Sequence, residues 1–286
     1  MQLRNIAAGV ALGALSTMAG VSFAATDKKE VAAIEQAVSG DWRKPEAKER
    51  DGERHPVASL EFWGLKPKMT ILEIQPGGGW WTEILAPYAR ANKGEFYTTG
   101  ADLADPTLSD NAKKARADFE AKWADAAVYG KVNMINWGPK SAPLPANKFD
   151  FVMLTRGMHG WVRDGRAEIN LLKIYDSVKP GGVLAIEQHR AKPGQDPATF
   201  NGYLDENYVI SLVEKAGFKL AAKSEINANP KDTKDHPFGV WTLPPTRQSS
   251  PGGEGGNAVD PSFDRAKYDA IGESDRMTLR FVKPKK

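Results

Sequence analysis

The feature that most constrains the fold is a series of short apolar runs that alternate with longer segments of helical periodicity. Five of these runs cover residues 69–74, 95–99, 131–135, 149–154 and 183–187. Short, almost continuous apolar runs fit strands that are covered on both faces, and the helical segments between them supply crossover connections. We therefore predict an α/β fold built on a mostly parallel sheet with helices on both faces.

The first 24 residues have the layout of a secretory signal peptide. Arg4 precedes an apolar run from Ile6 to about Ala19, and small residues surround Ala24. Glycines interrupt the run, and it is shorter than the ~20 apolar residues of a bilayer span. We expect cleavage after Ala24 and a periplasmic or secreted location, with no stable membrane insertion after cleavage.

Composition narrows the chemistry and the partners. The chain has no cysteine, which excludes disulfides and thiolate metal sites. Lys and Arg number 39 against 36 Asp and Glu, for a formal net charge of +3. Positive and negative charges are nearly equal in number, which argues against nucleic acid or an anionic membrane as a partner. We expect a small-molecule ligand, and the sequence leaves the oligomeric state open.

Three regions follow from the pattern along the chain. Residues 25–60 predict a short helix and a connection, in which we interpret the charged run 41–54 as solvated surface. Residues 61–286 form the main domain, which includes a helix at about 111–127 with Phe119 and Trp123 on one face. Residues 227–274 are rich in Pro, Gly, Asp and Lys and predict a long surface insertion.

A glycine-rich turn follows the first predicted strand. The text reads Glu73-Ile74-Gln75-Pro76, then three glycines, Gly77, Gly78 and Gly79. Glycines let the backbone approach a ligand closely, and amides at the start of the next helix can hold a carboxylate. The same text can also be a purely structural turn, but its place between strand and helix favours a binding site.

These residues resemble the first motif of class I S-adenosylmethionine-dependent methyltransferases, and residues 178–182 before the fifth strand are similarly typical. More narrowly, residues 76–88, 159–161, 187–190 and 275–281 resemble a group of secreted predicted methyltransferases of bacteria. The resemblance runs from about residue 51 to the end. It implies a Rossmann-like, seven-stranded sheet with an antiparallel last strand.

The resemblance also implies a cofactor site. S-adenosylmethionine would be bound by Glu73 and by the three glycines at 77–79, whose first usual glycine is here Gln75. Such folds place an acid after the second strand to bind the ribose hydroxyls. Gly100 occupies the expected position, so we predict that Asp102, two residues on, takes this role. The alternative interpretation of Asp102 is a helix cap.

Polar residues follow strands four and five, where ligands of open α/β sheets bind. We predict His159 and His189 as catalytic residues, since histidine titrates near neutral pH and can act as a general base. Ordinary loop histidines are the alternative. Together with Glu187, the two histidines could instead bind a metal ion.

The sequence therefore supports three hypotheses. The first is an S-adenosylmethionine-dependent methyltransferase that acts on an unidentified small-molecule acceptor. The second, favoured by Gln75 and Gly100, is a non-catalytic ligand-binding protein on the same fold, and the third is a metal-dependent enzyme. Trp80 and Trp81 would wall the pocket or pack the first helix, and Trp241 in the insertion is a candidate lid residue.

Overall fold

The computed structural model describes residues 27–251 and 262–285. The predicted signal peptide at 1–24 lies outside the described residues. Within these residues there are eight strands: β1 (Thr70–Ile74), β2 (Glu95–Ala101), β3 (Val132–Trp137), β4 (Phe149–Thr155), β5 (Val178–His189), β6 (Lys219–Ser224), β7 (Pro237–Val240) and β8 (Arg276–Val282). Seven of them form one sheet of order β3-β2-β1-β4-β5-β8-β6, which leaves out β7.

Helices within the described residues precede β1, occupy crossovers between strands and, in one case, precede β8. They are α1 (Lys28–Ser39), α2 (Pro45–Lys48), α3 (Asp51–Arg54), α4 (Pro56–Trp63), α5 (Thr82–Ala91), α6 (Asp110–Lys122), α7 (Ala126–Tyr129), α8 (Met158–Arg163), α9 (Ala167–Ser177), α10 (Glu206–Lys215) and α11 (Arg265–Asp269).

The sheet is buried on both faces because side chains of successive strand residues point to opposite sides. In β1, Leu72 and Ile74 pack into one apolar core with α8, α9 and α10. Ile71, which points to the opposite face, packs into a second core with α1, α4 and α5. The predicted α/β fold with helices on both faces is confirmed.

The last strand in the chain is antiparallel, as predicted. β1 pairs in parallel with β2 and β4, and β4 pairs in parallel with β5. β8 inserts between β5 and β6 and runs antiparallel to both, with Leu279 opposite Ile186 of β5. The sheet therefore has one antiparallel strand in an otherwise parallel order, and the carboxyl ends of β1, β4 and β5 meet at one edge.

The helix predicted at about 111–127 is divided into α6 and α7, and its predicted apolar face is fully buried only at Trp123, which follows α6. Phe119 is only partly buried, whereas Arg116 is 8% exposed. The Arg116 guanidinium donates to the Ala101 carbonyl oxygen at 2.7 Å and to Asn136 Oδ1 at 3.0 Å. A charged group can be buried at low cost only when it is hydrogen-bonded, so these polar contacts hold α6 against the sheet together with the packing of Trp123.

The interpretation of residues 41–54 as solvated surface is confirmed for side chains such as Asp41, Lys44 and Glu46, which are exposed, but it is wrong for two arginines. Arg43 and Arg54 are 2% and 1% exposed. The Arg43 guanidinium pairs with Asp51 at 2.7 Å and with Glu83, at the start of α5, at 3.0 Å. Long-range partners pull this charged segment onto the body of the domain, where it covers the edge at which the parallel strands end.

The described part of the predicted insertion is also packed against the domain. Asn227, Asp232 and Leu243 are all buried. The Asn227 side-chain amide donates to Ser59 Oγ and Thr278 Oγ1, and so ties the segment to α4 and β8. The segment therefore contributes to the same edge of the sheet as residues 41–54.

Candidate functional site

A cavity of about 950 Å³ opens at the carboxyl ends of the parallel strands. Gln75 after β1, Thr155 at the end of β4 and His189 at the end of β5 all contribute to its wall. This is the edge at which open α/β sheets bind ligands. Its volume lies near the upper end of the ~300–1,000 Å³ that is usual for ligand pockets.

The three glycines of the turn have two different roles. Gly77 and Gly78 line the cavity, and a Cβ added to either would meet no atom within 4 Å. Gly79, at φ 83°, is packed instead, because its Cβ would lie 2.3 Å from the ring of Trp123. The turn thus presents bare backbone to the cavity at 77 and 78, whereas glycine at 79 allows close packing of α6.

Glu73 lies beneath this turn and outside the set of cavity-lining residues. It is 1% exposed, and its Oε2 accepts a hydrogen bond from Thr82 Oγ1 at 2.6 Å. Burial raises the pKa of Glu73 to about 8, so the carboxyl is largely protonated at neutral pH. Its placement suits a neutral group that joins the end of β1 to the start of α5.

Asp102 is also absent from the cavity wall described above. Its Oδ1 accepts a hydrogen bond from the Ala104 amide at 3.0 Å, as a turn-capping residue does. The neighbouring position that such folds use, Gly100, is covered, because an added Cβ would lie 2.7 Å from Arg116 Cδ. Ribose binding by Asp102 stays a prediction, and this geometry does not favour it.

The two predicted histidines come together across the cavity. The ring centroids of His159 and His189 are 5.8 Å apart, and both residues line the wall. Burial lowers the pKa of His159 to about 4 and holds the pKa of His189 well below its ordinary value. Both rings are therefore neutral at pH 7.

Hydrogen bonds distinguish the two rings. Gln188 Nε2 lies 3.3 Å from His159 Nδ1 and also donates to the Gly202 carbonyl at 3.1 Å, which identifies it as the amide nitrogen. Nδ1 of a neutral His159 then accepts, and Nε2 carries the proton. His189 Nδ1 lies 2.6 Å from Ser274 Oγ, a group that can donate or accept. Of the two, His189 is the better candidate for a proton acceptor.

Two segments outside the strand–helix core complete the wall. Trp80 donates its indole N–H to the Ala47 carbonyl at 2.9 Å, which joins the residue after the glycines to the N-terminal segment. Trp241, from the predicted insertion, packs against His159 with a centroid distance of 5.9 Å. Trp81 is 3% exposed and packs edge-on against Trp63. Of the tryptophan pair, Trp80 is thus the more exposed residue, while Trp81 packs in the core.

Behind the histidines lies a cluster of four arginines around two carboxylates. Glu273 contacts Arg50 at 2.8 Å, Arg54 at 2.9 Å, Arg276 at 3.1 Å and Arg156 at 3.6 Å. Burial raises the pKa of Glu273, but the neighbouring guanidiniums outweigh this effect and lower the pKa to about 2.

Glu187 belongs to this cluster and is not placed to bind a metal ion together with the two histidines. Its Oε1 lies 3.0 Å from Arg276 Nε and 3.8 Å from Arg156 Nε. Across residues 27–251 and 262–285, no group of three or more His, Asp or Glu side chains is arranged to hold a metal ion. The geometry gives no support to a site made of His159, Glu187 and His189.

The sequence reasoning missed the arginine cluster. Arg50 and Arg54 were assigned to solvent with the rest of the charged run. A signal was present in β8, in which apolar residues such as Met277 and Leu279 alternate with polar ones. Arg276 is the first residue of this strand. An arginine in a strand that enters the core requires a buried anion, although the sequence does not identify which one.

Comparisons with known proteins bear on the fold. No protein-family model matches the chain, and no curated protein sequence matches it. The [4+2]-cyclase SpnF superposes with a TM-score of 0.53 at 16% identity, over 90% of this chain and 94% of its own. A candidate sarcosine dimethylglycine methyltransferase from Galdieria sulphuraria gives 0.51 at 11%, over 85% and 89%.

An S-adenosylmethionine-dependent methyltransferase from Aquifex aeolicus is 20% identical, with a TM-score of 0.49, over 69% of this chain and 93% of its own. The fold is that of Rossmann-like class I methyltransferases. Because one neighbour with this fold is named a cyclase, the fold by itself does not fix the reaction.

Proposed function

We propose that this protein is an S-adenosylmethionine-dependent methyltransferase that acts on a small-molecule acceptor. The observation that carries the proposal is the bare backbone of Gly77 and Gly78, which opens on the cavity at the end of β1. A side chain at either position would enter the space that the cofactor of this fold requires. Structural similarity to methyltransferases supports the same proposal at the level of the fold.

The residues present fit the cofactor in part. Gly77 and Gly78 would lie against it, and Trp80, with its indole N–H fixed on Ala47, would form part of the adjoining wall. When bound, S-adenosylmethionine supplies an activated methyl group, so the protein's task is alignment and exclusion of water. The cavity is large enough to admit an acceptor beside the cofactor.

His159 and His189 would position the acceptor. In its neutral form, His159 offers an Nε2 proton as a hydrogen-bond donor, because Nδ1 faces the Gln188 amide nitrogen. His189 would take up a proton from the acceptor when its Nδ1–H donates to Ser274 Oγ. The lowered pKa of each ring keeps both groups neutral at physiological pH.

A non-catalytic ligand-binding protein on this fold is the second candidate. The specific observation in its favour is Arg116, whose side chain covers Gly100 where the fold would present a ribose-binding acid. Gln75 also favours this candidate, since it stands where the usual methyltransferase motif has its first glycine. Its Oε1 would lie 3.1 Å from a Cβ at Gly157. Such a protein would bind a ligand without transferring a methyl group.

We further propose that the protein acts in the periplasm or outside the cell. The support for this is the sequence pattern of residues 1–24, which has the charge, apolar run and small residues of a signal peptide. None of the helices among the described residues has the length and apolarity that crossing a membrane requires.

Titration calorimetry of S-adenosylmethionine and S-adenosylhomocysteine into the purified protein tests the function. A Gly78→Val variant should lose binding, because the new side chain enters open cavity space where no other atom lies within 4 Å. Gly52→Val is the matched control, since Gly52 also has open space around it but does not line the cavity.

Binding by the wild type and the control, with loss in Gly78→Val, supports the proposal. A folded wild type that binds neither compound would refute the methyltransferase assignment. Binding without methyl transfer to any acceptor would favour the second candidate.

A further inference from the structure

The arginine cluster carries more positive charge than its own carboxylates neutralise. Four guanidiniums, those of Arg50, Arg54, Arg156 and Arg276, share the carboxylates of Glu273 and Glu187. The nearby Glu53 is exposed, and its carboxylate accepts a hydrogen bond from the backbone amide of Glu273. Uncompensated buried charge is unfavourable unless a counter-ion is supplied.

Arg54 shows the surplus directly. It is 1% exposed, and its two terminal nitrogens, Nη1 and Nη2, are buried without a hydrogen-bond partner, while Nε is engaged by Glu273. Burial, together with the charge of Arg156, lowers the pKa of Arg54 to about 9. Glu273 is thus shared among too many cations to satisfy each of them.

Arg156 connects this surplus to the cavity. Its side chain is 24% exposed and lines the wall, next to the two histidines. Its contacts with Glu273 and Glu187, at 3.6 and 3.8 Å, are longer than hydrogen bonds. Its backbone, at φ 53°, adopts a left-handed conformation that is uncommon for a residue with a side chain. A planar guanidinium with only these long contacts can still donate two hydrogen bonds to the oxygens of a ligand carboxylate.

The rest of the wall has the same sign. Its cationic side chains outnumber its carboxylates, Glu46 and Glu83, and the second of these is already bound to Arg43. The cations that line the cavity are Lys44, Arg50, Arg54, Lys122 and Arg156.

We propose that the acceptor carries a carboxylate, and that Arg156 binds this group and orients the acceptor beside His159 and His189. This inference rests on the proposed function and names the substrate class of the same cavity. The glycine turn follows β1, whereas Arg156 follows β4 and contacts Glu187 at the end of β5. Arg156 and the glycine turn thus lie at the ends of neighbouring strands and would contact different groups, the acceptor's carboxylate and the cofactor.

Benzoate and benzamide are a suitable pair of probes, because they share one aromatic body and differ in charge. Tryptophan side chains such as Trp80 and Trp241 line the cavity and can pack against the ring. Both probes would be titrated by calorimetry into the wild type in phosphate-free buffer. Since a charge-assisted hydrogen bond is stronger than a neutral one, we expect benzoate to bind about tenfold more tightly than benzamide or better.

Arg156→Gln should remove most of this preference, and Arg156→Lys should retain part of it. The substitutions should fold, because the closest contact of Arg156 with β5 is a backbone one, from its amide to the Glu187 carbonyl at 2.7 Å, and the side-chain contacts are longer. Arg50→Gln, at a side chain that is 30% exposed, should weaken benzoate binding less. Lys114→Gln, on the exposed face of α6, is the control and should bind as the wild type does.

Saturating S-adenosylhomocysteine separates the two sources of a carboxylate. If the site belongs to the acceptor, benzoate binds equally well with this compound present. Displacement of benzoate would assign Arg156 to the cofactor's own carboxylate and overturn the proposal, as would equal affinities for benzoate and benzamide. If S-adenosylhomocysteine does not bind but benzoate does, the proposed function fails and the carboxylate site stands.

Discussion

Glu273→Gln is the substitution from which the arginine cluster predicts the largest change in stability. It keeps the shape of the side chain and removes the charge that four guanidiniums share. The side chain is only 4% exposed, so solvent does little to screen the loss. Breaking a buried ion pair from one side leaves the partner charges uncompensated.

The magnitude follows from the pKa of Glu273, which the cluster lowers from 4.5 to about 2. This difference corresponds to about 3 kcal/mol of folding free energy. Because the pKa is lower in the folded than in the unfolded state, this contribution is fully present above about pH 5. It is lost as the pH falls toward 2 and the carboxylate takes up a proton.

Urea unfolding at pH 7, 5, 4 and 3 measures this contribution. The variant should be less stable than the wild type by about 3 kcal/mol at pH 7, and the difference should shrink steadily between pH 5 and pH 3. Glu35→Gln, at an exposed carboxylate of α1, controls for the general effect of removing one negative charge. Equal stabilities at pH 7, or a difference that does not change with pH, would refute the cluster's energetics.

Glu73 should behave in the opposite sense. Burial raises its pKa to about 8, so between pH 4.5 and 8 the carboxyl ionises in the unfolded chain but stays protonated in the folded one. The free energy of unfolding of the wild type therefore falls as the pH rises through this range. Glu73→Gln should therefore be more stable than the wild type by about 3 kcal/mol at pH 7 and similar to it at pH 4.5, as urea unfolding would report; a variant that is less stable at pH 7 would contradict this. Gly79→Ala should lower stability by roughly 2 kcal/mol or more, since its Cβ would lie 2.3 Å from Trp123, whereas Gly78→Ala should stay within about 1 kcal/mol; equal melting temperatures for the two would show that Gly79 is not packed.

The sheet could be predicted from the sequence because its signals are local. Most of the buried strands contain a short apolar run, and Pro180 with the two glycines after it explains why α9 ends at Ser177, although residues 178–182 already belong to β5. Strand β8 alternates apolar and polar residues, which marks it as a strand wherever it pairs. Such signals do not depend on distant parts of the chain, so the succession of the seven sheet strands followed from them, whereas β7 and the short helices α2, α3, α8 and α11 did not.

The packing of residues 41–54 over the strand ends could not be predicted, because long-range ion pairs determine it. Arg43 is buried by Glu83, 40 residues later, and Arg54 by Glu273, 219 residues later. A charged run gives the same local pattern whether it is solvated or paired. The glycine turn was found because its signal is contiguous, whereas Arg50 and Arg54 were missed because they are adjacent to Glu273 only in the folded chain.

The most direct measurement is a crystal structure of the protein with S-adenosylhomocysteine. We expect its amino-acid portion to lie on Gly77 and Gly78, with the side chain of Arg156 still free to bind a second molecule. Electron density for the ligand away from the glycine turn, or its carboxylate on Arg156, would contradict the account of this site.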